Sequence, residues 1–65
     1  MYYIYGKGVN DKQFRPMRRD GTRATSLRDK GCMVFVERKD AQTLLDRILS
    51  EGNVKEGAKF EIRKK

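Results

Sequence analysis

Six cations, Lys12, Arg15, Arg18, Arg19, Arg23 and Arg28, fall in a stretch that holds a single carboxylate, Asp20, so this part of the chain carries +5 of a formal +7. Five of the six are arginine, whose planar fork pairs two donors with a phosphate, whereas lysine offers a compact, strongly hydrated charge. Thr22, Thr25 and Ser26 add hydroxyl donors to the same stretch. Residue types in this pattern suit contact with a polyanion backbone, and Tyr2, Tyr3, Tyr5 or Phe14 can stack unpaired bases if their rings are exposed. The same pattern has a purely structural reading: arginines and lysines on an exposed strand block edge pairing and keep a small protein soluble.

A second constellation is Asp20 with Glu37-Arg38-Lys39. Two carboxylates can hold a hard cation such as Mg²⁺ while a lysine steadies the attacking hydroxide, the arrangement of a metal-dependent nuclease. In a chain that is 38% charged this spacing arises readily by chance, and Asp20 is already suited to a turn. Asp20, Glu37 and Lys39 are therefore weak catalytic candidates, and no catalytic residue, metal or cofactor is assigned. Gly6-Lys7-Gly8 is too short for a phosphate-cradling loop and reads as a turn. Cys32 has no histidine anywhere in the chain to activate it and reads as a small buried hydrophobe.

The elements that must position these groups follow from pattern. Residues 2–5, Tyr-Tyr-Ile-Tyr, predict a strand that stops at the glycines. Residues 14–19 and 22–27 flank Asp20-Gly21, a dipeptide that favours a two-residue hairpin turn, so the arginines are expected to project from a basic β-ribbon. Pro16 cannot donate to a ladder, which places the first arm at a sheet edge or gives it a bulge. Residues 32–37, Cys-Met-Val-Phe-Val-Glu, form the most apolar run and predict the central strand.

From Asp40 the period changes to 3.6, with Ala41, Leu44, Leu45, Ile48 and Leu49 on one stripe of an amphipathic helix. Asp40 is expected to cap it and Gly52 to end it. A polar turn through Asn53 and Gly57 leads to residues 58–63, where Phe60 and Ile62 alternate with Lys59, Glu61 and Arg63 as in a half-buried strand. The expected architecture is a single α+β domain over residues 1–65, β-β-β-β-α-β, with a mostly antiparallel sheet and one helix across one face.

At 65 residues the chain makes one small core, without a disulfide because there is one cysteine. A core of this size is marginal, and pairing of an edge strand with a second copy is an expected remedy, giving a homodimer. No apolar run is long enough for a membrane span and the first residues lack the pattern of a signal peptide, so a soluble, cytoplasmic protein is expected.

From Tyr2-Tyr3-Ile4-Tyr5 through Phe14-Arg15-Pro16-Met17 and Asp40-Ala41 to Phe60-Glu61-Ile62-Arg63, the chain resembles short proteins encoded on bacterial phages and mobile elements. The resemblance implies that genetic setting and transfers no functional residue. Proteins from such settings commonly bind DNA or block host-defence enzymes, CRISPR nucleases among them.

Three readings are carried forward. The first is a non-catalytic nucleic-acid-binding module of low sequence preference, DNA ahead of RNA, contacting phosphates through Lys12, Arg15, Arg18, Arg19, Arg23 and Arg28. The second is an inhibitor whose cationic surface occupies an acidic patch or channel rim on a larger nucleic-acid enzyme. The third is metal-dependent DNA nicking.

Overall fold

The computed structural model describes residues 1–52, 54 and 56–65. Asn53, assigned above to the polar turn, lies outside the described residues. The elements are β1 (Tyr2–Lys7), β2 (Arg15–Pro16), α1 (Arg38–Ser50) and β3 (Lys59–Lys64), and the strands form one antiparallel sheet in the order β2-β1-β3. The α+β class and the single helix on one face are as expected, but the order is β-β-α-β rather than β-β-β-β-α-β.

Two expected strands are replaced. The central strand is β1, not residues 32–37. That apolar run makes isolated bridges only, Cys32 to Arg18 and Phe35 to Tyr2. Its hydrogen bonds are divided: the Met33 amide donates to the Met17 carbonyl, while Phe35 exchanges both its backbone bonds with Tyr2. Val34 and Val36 are left 46% and 74% exposed, as fits a segment with no sheet neighbour beyond it.

The basic hairpin exists but is three residues wide on each side. Arg18 and Thr22 close a three-residue loop, the Gly21 amide returns to the Arg18 carbonyl, and Gly21 takes a left-handed φ of 89°. This is a type I turn followed by a left-handed residue in place of the expected two-residue turn. One further rung, from the Ala24 amide to the Pro16 carbonyl, ends the ladder. Pro16 cannot return the second bond of that pair, and its position on the edge strand β2 agrees with the same missing donor.

The core lies between α1 and one sheet face. Ile4, Met17, Ala41 and Leu45 are buried, with Tyr2, Met33, Phe35, Leu44, Phe60 and Ile62 packed around them. Leu49 ends the predicted stripe but is 50% exposed, because three short strands do not reach under the last turn. Glu37 rather than Asp40 occupies the N-cap position, without a side-chain cap. Asp40 sits in the first turn, where its charge complements the helix dipole. Beyond Glu51, Gly52 adopts φ 73° and ends the helix as expected. Among the described residues no helix is long and apolar enough to cross a membrane.

Candidate nucleic-acid interface

Strand parity decides which side chains meet. Met17 and Met33 belong to the helix-side core, so their neighbours Arg18 and Cys32 turn to the other face, as do Pro16 and its partner Ala24. Tyr5, Pro16, Ala24 and Cys32 are all buried and make a second, smaller apolar layer there. The Cys32 thiol donates to the Ser26 carbonyl at 3.6 Å, and burial pushes its pKa up, which keeps it a thiol rather than a nucleophile. Residues 24–32 thus cover the β2 side of this face and leave its β3 side open.

Two of the six predicted cations are engaged by carboxylates. Arg18 is fastened to Asp29, with Nε to Oδ2 at 2.9 Å and Nη2 to Oδ2 at 2.8 Å, and a third bond runs from Nη1 to the Thr22 hydroxyl at 3.1 Å. Hydrogen bonding to Arg18, followed by the Gly31 amide, holds the Asp29 carboxyl below the usual carboxylate range. Arg23 is paired with Asp11 Oδ2 at 2.8 Å, and the same oxygen accepts the Gly8 amide at 2.8 Å. Both arginines tie loops together. Both also line an open cleft of about 900 Å³ between the hairpin and α1, whose other charged lining residues are Arg19, Asp11, Asp20 and Glu51.

Lys12, Arg15, Arg19 and Arg28 are exposed and have no carboxylate partner among the described residues. The five ion pairs among the described residues each join one cation to one carboxylate, so they leave the formal +7 standing.

The nuclease candidates are engaged locally. Asp20 accepts the Thr22 amide at 2.9 Å and the Thr22 hydroxyl at 2.6 Å, and those bonds draw its carboxyl below its ordinary range. Glu37 and Lys39 pair with each other at 3.2 Å at the start of α1. Among the described residues no three side chains of metal-binding type come together.

The open part of the helix-free face holds a different group. β1 and β3 pair Tyr3 with Arg63, Tyr5 with Glu61 and Lys7 with Lys59, so all six share that face. The Arg63 guanidinium lies 4.4 Å from the centroid of the Tyr5 ring and 5.5 Å from that of Phe14, and the Lys7 ammonium lies 5.8 Å from Phe14. Glu61 pairs with Arg63 and steadies it. Of the aromatic candidates, Tyr2 packs on the helix side, Tyr5 is covered, and Tyr3 and Phe14 remain half-buried. Arg63 covers the Tyr5 ring, so this part of the face presents a guanidinium backed by an aromatic ring.

Lys7 and Lys59 are not among the expected contacts, and Arg63 is expected only as part of a basic terminal tail, Arg63-Lys64-Lys65, that adds to a phosphate-binding surface. The alternation of residues 58–63 put Lys59, Glu61 and Arg63 on one side, but reading Gly6-Lys7-Gly8 as a turn hid Lys7. In comparisons with protein-family models, curated protein sequences and solved structures, nothing matches this chain.

Proposed function

We propose that the chain is a small basic nucleic-acid-binding module, non-catalytic and of low sequence preference, in the phage or mobile-element setting that its sequence resembles. The contact surface is the open β3 side of the helix-free sheet face. The observation that carries this reading is the placement of Arg63 over Tyr5 and Phe14, with Lys7 also over Phe14. Lys7 and Lys59 can track phosphates, while the Arg63 guanidinium plane over Tyr5, with the half-buried Tyr3 ring on the same face, offers bases a stacking surface.

Exposed Lys12, Arg19 and Arg28 supply peripheral charge, while Arg15, paired with Gly6, falls on the helix side of the sheet. Arg18 and Arg23 serve the fold. A hairpin this short, with two of its arginines tied to carboxylates, is a poor reader of a duplex groove, which favours unpaired strands, DNA ahead of RNA.

Titration of an oligothymidylate of about eight nucleotides, within the range one small binding fold occupies, into ¹⁵N-labelled protein tests the location. Amide shifts are expected at Tyr3, Lys7, Phe14, Lys59 and Arg63, with α1 silent. Shifts confined to residues 18–23 would move the site back to the hairpin.

A further inference from the structure

We infer that the outer edge of β3 is a docking strand for an acidic, extended segment of a partner protein, which adds to the sheet as a fourth strand. The hydrogen-bond pattern defines the edge. Tyr2 and Ile4 direct their backbone groups toward Phe35 and Met17, on the β2 side of the sheet. On the other side, the amino group of Met1 donates to the Lys65 carbonyl at 3.2 Å and the Lys65 amide returns to the Met1 carbonyl at 2.9 Å. Antiparallel pairs alternate, so Arg63, Glu61 and Lys59 are bonded to β1 and the amides and carbonyls of Phe60, Ile62 and Lys64 point outward. No backbone bond among the described residues meets those outward groups.

Charge selects the occupant. Lys59, Arg63, Lys64 and Lys65 flank the edge and Glu61 is its single carboxylate. A second copy is a poor fit, because side by side the two edges set four cations and one carboxylate against the same set, and lysines on an edge strand ordinarily prevent such pairing. An incoming strand with carboxylates at alternate positions meets Lys59 on one face, where Arg63 is already drawn toward Glu61 and the Tyr5 ring. On the other face its apolar residues continue the row of Phe60 and Ile62. Main-chain bonds supply affinity and the alternate side chains supply specificity, as in other strand-addition complexes. This edge shares Lys59 and Arg63 with the proposed nucleic-acid surface but does not depend on that reading, and it is tested without nucleic acid.

The probe is a seven-residue capped peptide alternating Glu and Val, compared with a block peptide of the same composition, with amide hydrogen exchange as the readout. On adding the alternating peptide, exchange at Phe60, Ile62 and Lys64 is expected to slow at least about tenfold, while the already bonded amides of Lys59, Glu61 and Arg63 keep their rates. Lys64→Pro, which removes an outward donor without touching the β1 ladder, should weaken binding more than Lys64→Gln. Equal responses at both parities, or equal responses to the block peptide, would reduce the effect to nonspecific charge and overturn the proposal. So would protection of the same three amides by self-association in the absence of peptide, since the occupant would then be a second copy.

Discussion

Ile4→Ala is expected to unfold a large fraction of the protein at room temperature. Ile4 is 1% exposed at the centre of the sheet, opposite Ile62 on β3, and it packs in one cluster with Met17, Ala41 and Leu45. Truncating a fully buried Ile to Ala costs about 2–5 kcal/mol, through lost transfer energy and the cavity left behind. A single-core domain of this size holds only about 3–5 kcal/mol in reserve. No disulfide links the chain, since Cys32 is free, so the loss is not offset elsewhere. Leu49→Ala on the exposed end of α1 is the control and should change stability by no more than about 0.5 kcal/mol. Urea unfolding followed by circular dichroism measures both, and an Ile4→Ala midpoint equal to that of Leu49→Ala would displace the core from where it is described.

Arg63→Ala is expected to weaken single-strand binding by about tenfold or more, the scale of one lost base stack. Three functions leave with the side chain: a positive charge, the cation over Tyr5 and Phe14, and the partner of Glu61. Arg63→Lys separates them. It keeps the charge, so the salt dependence should persist, but it removes the planar guanidinium, so most of the affinity loss should remain. Fluorescence anisotropy with a labelled oligothymidylate reads both quantities. Full recovery of affinity in Arg63→Lys would mean that the face acts through charge alone. Thermal melting of each variant checks that the Glu61 contact is not the source of the change.

Much of the architecture was legible where a local rule and the tertiary environment agree. The 3.6-residue period of Ala41, Leu44, Leu45 and Ile48, the alternation of residues 58–63 and the glycine at the helix end each specify a feature that is present. The pattern of residues 2–5 predicts a strand that stops at Gly6. In fact Gly6 continues the ladder opposite Phe60, and a Cβ at that position would lie only 3.1 Å from the Phe60 ring. The glycine is there for close approach, a requirement visible only once the partner strand is in place.

The segment 32–37 illustrates the opposite failure. Apolar composition announces burial but not which neighbour supplies backbone partners, and here Met17 and Tyr2 share them, so no central strand forms.

The candidate site was less legible for a similar reason. Counting charge along residues 12–28 located the densest cations but not the carboxylates that engage them. Asp29 reaches Arg18 across eleven positions, and Asp11 reaches Arg23 from outside the stretch that was counted. The surface that gathers cations and aromatic rings instead draws on β1 and β3, near opposite ends of the chain, brought together by antiparallel pairing. Its components were each visible as Tyr3, Tyr5, Phe14 and the alternating Lys59, Glu61 and Arg63. Their juxtaposition was not.

The proposed function stands on a cationic sheet face with partly buried aromatic rings that binds unpaired nucleic acid. The most direct test is a pair of binding isotherms, one for a single strand and one for a duplex of the same sequence, at about 50 and 200 mM salt. With four or five phosphates neutralised, log K for the single strand is expected to fall against log salt with a slope of about −3 to −4, and the single strand should bind tighter than the duplex at both concentrations. Single-strand binding that ignores salt, or a duplex that binds as tightly as the single strand, would contradict it.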